Sequence, residues 1–282
     1  MPFPVIDHAR QIKPIPTHTI DLPEEAEFPR WHYERTTIDA WNMVLYFERN
    51  LARVNTYRAS SERHFRRLNS MVLLSLVEAF ERFLKELASG CIDQVGRHVL
   101  DDRLNEFRPQ GSSLAAHFEV GEQRSLGRAL CESSTWLDCD QINRRFKKIL
   151  ADPFAEGKYQ VFPPKTERYS LTEIVWQLRH SIVHNAGVVT RSDALKFQLL
   201  TRRSIGAPRL LWPTHADIWY VKLYLDEIVE EINDEVGARL DELMTTLLAD
   251  NPGLFDAAEK AQSLANLFRR PSVVAGAHRN PI

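Results

Sequence analysis

IWYVKLYLDEIVEEINDEVGARLDELMTTL, from Ile218 to Leu247, is the longest periodic segment of this 282-residue chain. Its apolar residues recur at steps of three and four with no proline between them, which is the spacing of one face of an α-helix. These residues are Ile218, Val221, Leu225, Ile228, Ile232, Val236, Leu240, Leu243 and Leu247. A helix of this length with one apolar face has to be covered by other helices, so the segment predicts a helical bundle.

Further helices are predicted upstream and downstream of this segment. An apolar stripe begins near Thr36, with Trp41 and Val44, and a longer one runs from Phe65 to Leu87, so the two are expected to form an antiparallel pair. Shorter helices are expected at about 122–132, 140–151 and 252–268, and another runs through Arg179 after a cap at Ser170 or Thr172. The fold class is therefore all-α, with four to five main helices and short extra ones.

A small β-hairpin or an irregular excursion is compatible with one region of the sequence. Lys196–Thr201 and Arg209–Trp212 flank the turn-forming residues Gly206, Ala207 and Pro208. The region lies between the helix that contains Arg179 and the long periodic helix.

Proline content and loss of periodicity divide the chain. Residues 1–30 are expected to form an extended N-terminal arm, 31–268 a single helical domain, and 269–282 a C-terminal tail. Within the domain, 97–165 is expected to be an irregular insertion that contains short helices.

Composition and charge exclude several classes of protein. No run reaches the roughly 18 to 20 apolar residues of a membrane span, and the first residues do not resemble a signal peptide, so a cytoplasmic protein without membrane association is expected. Cys91, Cys131 and Cys139 are odd in number and lack CxxC spacing, which favours neither a disulfide framework nor a cysteine zinc site. The net charge of −2 gives no global attraction to nucleic acid, but basic residues cluster locally at Arg63–Arg67 and Arg144–Lys148.

The segment RHSIVHNAG, from Arg179 to Gly187, contains the residues best suited to chemistry. It places a permanent cation that binds phosphate beside two imidazoles, and histidine is the side chain that titrates closest to neutral pH. This combination points to phosphodiester chemistry.

Helical geometry separates two faces of this segment. At 100° per residue, Leu171, Ile174, Val175, Leu178 and Ile182 form the expected core stripe, and Trp176, His180 and Val183 lie opposite. Arg179 and His184 flank that second face about 140° apart, which is awkward for one small ligand. Packing of the second face on a second copy would bring both residues into a shared cleft. Packing on another helix of the same chain is the alternative.

The segment Arg179-His180-xxx-His184, followed by Asn185 and Gly187, resembles the R-x(4-6)-H motif of HEPN domains. The stretch SLVEAFERFL, from Ser75 to Leu84, is similar to the first long helix of that family. The resemblance implies a HEPN-like helical bundle that forms a homodimer through the motif helix. Many members of the family are metal-independent endoribonucleases of toxin-antitoxin or phage-defence systems, which implies RNA as substrate, no metal or cofactor, and an antitoxin or sensor protein as a partner.

The resemblance also implies roles for individual residues. Arg179 would hold the phosphate, and His184 would act as general base or general acid in attack by the ribose 2′-OH. His180 occupies the polar position after the arginine, where it would position His184 or share its proton transfer. Four residues are expected to bind substrate or to form the interface, although Asn185 is equally a candidate C-cap and Glu78 a solvated surface residue. They are Trp176, Val183, Asn185 and Glu78.

Two alternatives remain at the level of the sequence. His180 and His184 have the i, i+4 spacing of zinc ligands on one helix face, but the glutamate of the HExxH motif and a third ligand are missing. The stronger alternative is a non-catalytic HEPN-like dimer that binds RNA, a nucleotide or a protein partner.

Overall fold

The computed structural model describes residues 28–51, 58–95, 125–132, 134–150, 159–253 and 256–268. The predicted arm up to residue 27, the tail 269–282 and much of the predicted insertion 97–165 lie outside the described residues.

The described residues are mostly helical, which confirms the all-α fold class. Two very short strands form the only sheet in this part of the chain. In chain order the elements are α1 Pro29–Leu51, α2 Arg58–Val95, α3 Leu126–Glu132, α4 Cys139–Leu150, α5 Glu167–His184, β1 Val188–Val189, α6 Arg191–Thr201, β2 Arg209–Leu210, α7 His215–Asp250 and α8 Ala257–Phe268.

The long periodic segment forms α7, as predicted. Thr214 caps its first turn through a reciprocal capping box with Asp217, which satisfies backbone N–H groups that the helix itself leaves unpaired. Eight of the nine predicted apolar positions are buried, and Val221 is half-buried. α7 packs against α2 and α1, so its apolar face lies at the centre of the main core.

The two upstream helices form the predicted pair. On α2, Val72, Leu76, Phe80, Phe83 and Leu87 are all fully buried, which confirms the stripe. His32 near the start of α1 contacts Glu86 in the second half of α2, as expected for antiparallel helices. α1 begins at Pro29, earlier than the sequence predicts, because proline fits the first helical position, where an N–H has no partner in any case.

The prediction of a strand at Lys196–Thr201 is wrong. These residues belong to α6, which begins after Thr190 through a capping box with Asp193. The small sheet instead pairs Val188 with Leu210 and Val189 with Arg209 in antiparallel register. β1 and β2 therefore pair as the strands of a hairpin do, but helix α6 connects them in the sequence.

Candidate active site on helix α5

Helix α5 carries Arg179, His180 and His184, and its ends are fixed by local hydrogen bonds. The Thr166 hydroxyl accepts a hydrogen bond from the Tyr169 N–H, so the helix begins about one turn before the predicted caps. At the other end Asn185 is the C-cap, and the Gly187 N–H donates to the Ser181 carbonyl at 2.9 Å. Gly187 has φ 82°, a left-handed conformation that glycine adopts without the steric cost of a Cβ. His184 is thus the last residue of a well-terminated helix.

The helix packs on two sides, as its two predicted faces require, but the residues of the predicted core stripe are divided between the two sides. Val175 and Trp176 enter the main core, whereas Ile174 and Leu178 are only partly buried and pack against a second cluster. That second cluster is formed by Val189, Ala194 and Phe197, which come from β1 and α6. α5 therefore lies between the main bundle and the α6 region.

Trp176 does not lie on an open surface. Its side chain is 4% exposed, and its ring stacks on Phe80 of α2 with centroids 5.4 Å apart and planes inclined by 20°. Trp176 therefore packs on another helix of the same chain, which is the alternative to contact with a second copy, and it also contributes to the lining of a cleft between α5 and α6. The helical angle predicts that Trp176 lies on the face opposite Leu178. On that face its large ring contacts α2.

His180 and His184 remain accessible beside each other. Both residues are exposed, and their rings lie 4.8 Å apart between centroids with planes inclined by 42°. This contact follows from the i, i+4 spacing on one helix. Two imidazoles at this distance can exchange protons with groups on one ligand.

Arg179 is half-buried, and its guanidinium is incompletely paired. The Nε atom is buried and has no hydrogen-bond partner among the described residues. A buried donor without a partner costs free energy, on the order of 1–3 kcal/mol. An anion that accepted hydrogen bonds from this guanidinium would remove part of that cost.

A cleft of about 410 Å³ brings Arg179 and His180 together between α5 and α6. Glu173 and Lys196 also line it, and its apolar wall includes Leu199. We call it the motif cleft. His184 is not among the residues that line it, but its ring contacts His180, which does. The cleft itself combines a guanidinium, an ammonium and one imidazole with the carboxylate of Glu173.

Asp193 anchors the C-terminal end of α5 and was not anticipated from the sequence. Its side chain is 2% exposed and accepts hydrogen bonds from Gln177 Nε2 and Asn185 Nδ2, each at 2.9 Å, and from the N–H and hydroxyl of Thr190. Burial by itself raises the pKa of this carboxyl, but the hydrogen bonds from Thr190 and Asn185 and the nearby His180 lower it, and the net pKa lies below the ordinary 3.8. The pattern Thr190-x-x-Asp193 is the signal that would have predicted the capping box.

The remaining predicted residues are placed as follows. Asn185 is the C-cap, and its amide is directed to Asp193. Val183 is 44% exposed and remains available for contact with another molecule. Glu78 is exposed on α2 and is absent from the described residues that line the motif cleft.

The cysteines and the acidic and histidine side chains show no metal-site geometry in the described part of the chain. Cys91, Cys131 and Cys139 are all buried and unpaired, and burial raises the pKa of each thiol. Across the described residues, no three histidine, cysteine or carboxylate side chains are grouped so that they could hold a metal ion. None of the described helices combines the length and apolarity that a membrane span requires.

Comparison with known proteins adds no family assignment. No protein-family model, curated protein or solved structure matches this chain.

Proposed function

We propose that this chain is a metal-independent endoribonuclease of the HEPN type, which cleaves RNA by attack of the ribose 2′-OH on the neighbouring phosphate. The observation that carries the proposal is that His180, whose ring contacts the exposed His184, lines the motif cleft together with the incompletely paired Arg179. The resemblance of residues 179–187 to the HEPN motif supports the same chemistry.

The proposed reaction needs a base, an acid and a cation. One imidazole takes the proton of the 2′-OH while the 2′-oxygen forms a bond to phosphorus, and the other donates a proton to the 5′-oxygen as the P–O5′ bond breaks. The products are a 2′,3′-cyclic phosphate and a 5′-hydroxyl. We assign one of these steps to His184 and the other to His180.

Arg179 would stabilise the charge that develops on the phosphate oxygens. Its guanidinium keeps its positive charge at any relevant pH and forms paired hydrogen bonds to phosphate. Lys196 lines the same cleft and would contribute a second positive charge.

The functional unit would be a homodimer that forms through the α5 region. Val183 of α5 and Leu199 of α6 are 44% and 82% exposed, and we assign these large apolar side chains to the contact between the two copies. A role in a toxin-antitoxin or phage-defence system, with an antitoxin or sensor protein that restrains the enzyme, rests on the sequence resemblance alone.

The test is cleavage of RNA in the presence of EDTA. Wild-type protein is expected to cut single-stranded RNA and to leave 2′,3′-cyclic phosphate ends, whereas His184→Ala and His180→Ala purified in the same way are expected to be inactive. His215→Gln is the matched control, because His215 pairs with Glu48 of α1 and is not part of the motif. Equal cleavage by wild type and His184→Ala would refute the proposal, and folded protein that cuts no RNA would favour the non-catalytic dimer.

A further inference from the structure

A second cleft lies against the other side of the motif helix. It has a volume of about 610 Å³, within the range of about 300–1,000 Å³ that is common for ligand sites. The N-terminal part of α2 forms one wall, and Ile182 of α5 and Leu210 of β2 contribute to the other. We call it the basic cleft.

The charge of the basic cleft is of one sign. Arg63, Arg66 and Arg67 line it together with His64, and no acidic side chain is among the described residues that do so. Arg63, Arg67, Ser70 and Leu74 follow helical steps of four, three and four, so these arginines share the face of α2 that the cleft exposes.

These arginines are also unneutralised. No ion pair joins Arg63, Arg66 or Arg67 to a carboxylate anywhere in the described ranges of the chain. Like charges at i and i+4 on a helix destabilise it by a few tenths of a kcal/mol. A polyanion bound in the cleft would relieve this repulsion.

The basic cleft is not a site for phosphate alone, because apolar groups accompany the arginines. Met71 and Leu210 in its lining are 55% and 48% exposed. Beside it Trp212 is 49% exposed, and the Arg66 guanidinium lies over its ring at 5.1 Å from the centroid. Cations next to an accessible aromatic face and aliphatic side chains match the alternating phosphates and bases of a single-stranded nucleic acid.

The position of the cleft connects it to the motif. Ile182, Ala186 and Gly187 line the basic cleft and flank His184 in the sequence. The C-terminal end of a helix carries partial negative charge, so α5 itself does not attract phosphate there. The arginines of α2 supply that attraction.

We infer that the basic cleft holds the phosphates of single-stranded RNA beside the motif helix, with bases packed against Trp212 and the apolar lining. The inference rests on the proposed function for the choice of RNA, but it requires binding only and no catalysis. A base-paired duplex keeps its bases stacked internally and would not use the aromatic and aliphatic part of the cleft.

Binding is measured by fluorescence anisotropy with a short labelled single-stranded RNA in EDTA, with His184→Ala as the parent to prevent cleavage. Arg66→Gln/Arg67→Gln in this parent is expected to weaken binding about 10- to 100-fold and to reduce the slope of log K against log salt by about 1.4, or about 0.7 for each lost phosphate contact. Trp212→Ala is expected to weaken binding about 5- to 50-fold with little change in that slope.

The matched control is Lys147→Gln/Lys148→Gln, which removes the same charge from exposed positions on α4. It is expected to change binding less than threefold. Equal losses in the two double variants, unchanged affinity in Arg66→Gln/Arg67→Gln, or displacement of the RNA by equimolar tripolyphosphate would each overturn the inference. Circular dichroism establishes that each variant is folded, and Arg63→Gln alone replaces the double variant if that one is unfolded.

The outcomes separate this inference from the proposed function. If no RNA is cleaved but the arginine and tryptophan variants bind as expected, the inference about the basic cleft is supported and the proposed endoribonuclease activity is refuted. If wild type cleaves RNA but these variants bind RNA with unchanged affinity, only the inference that the basic cleft binds RNA is refuted.

Discussion

Trp176 of α5 stacks on Phe80 of α2 in a nearly parallel arrangement, and this contact joins the motif helix to the core. The stack fixes one side of α5, and the second cluster, formed by Val189, Ala194 and Phe197, packs against another side. Rotation of the helix about its axis would therefore break packing on both sides. The exposed position of His180 and His184 is therefore set by the fold and not by local flexibility.

Truncation of Trp176 is expected to destabilise the protein. Trp176→Ala should lower the free energy of unfolding by about 3–5 kcal/mol, because it leaves a cavity against Phe80. Urea denaturation followed by circular dichroism measures this, with Trp212→Ala as the control at a half-exposed position. A loss below about 1 kcal/mol for Trp176→Ala would contradict its placement in the core.

Arg179→Met is expected to separate stability from function. The substitution removes a buried Nε without a partner while it keeps most of the apolar stem, so the melting temperature should stay the same or rise. RNA cleavage should fall about 100- to 1,000-fold, as for loss of a group that stabilises transition-state charge. A clear drop in melting temperature would show that Arg179 is a structural residue.

Asp193 is expected to make the stability of the turn between α5 and α6 depend on pH in the acid range. Because its folded pKa lies below the ordinary 3.8, its stabilising contribution is complete above that pH and is lost as the pH falls through the lower folded value. Asp193→Asn should therefore be less stable than wild type by about 3 kcal/mol at pH 7, and the difference should shrink in strong acid. Urea midpoints at neutral and acid pH test this; a difference that is constant with pH would count against it.

Dimer formation through the α5 region is tested by replacing an exposed apolar residue with a charged one. Light scattering at micromolar concentration should show a dimer for wild type and a monomer for Leu199→Asp, because a carboxylate would be buried in the contact. Tyr46→Asp, at a residue that is 66% exposed on α1, should remain dimeric. Monomeric wild type would exclude a site shared between two copies.

Gly127 of α3 lies directly against the backbone of α2 at Ser89. A Cβ at this position would lie 2.0 Å from the Ser89 carbonyl oxygen, so Gly127→Ala should cost about 1–3 kcal/mol or more as the helices separate. At Gly253 a Cβ would meet nothing within 4 Å, and Gly253→Ala should change stability by less than about 0.5 kcal/mol. Chemical denaturation of the two variants compares them directly.

The sequence predicts α7 and α2 well because each apolar stripe maps onto one buried face. It does not predict the environment of Trp176. A helical angle shows which face of α5 carries the side chain, but it does not show which other element packs against that face. The apolar pattern of Lys196–Thr201 does not distinguish a strand from the helix α6, because a short apolar segment fits either structure, and the capping pair Thr190 and Asp193 decides between them. Arg63–Arg67 is visible as a charged cluster, but the apolar wall opposite it comes from residues more than a hundred positions away.

The four hydrogen bonds to Asp193 also constrain how this sequence can change over time. Gln177, Asn185 and Thr190 all donate to one buried carboxylate, so replacement of the acid would leave several donors without an acceptor. We expect positions 177, 185, 190 and 193 to vary together among chains that keep this turn after the motif. Such joint variation would identify distant relatives more selectively than the short arginine–histidine pattern, which occurs by chance in unrelated helices.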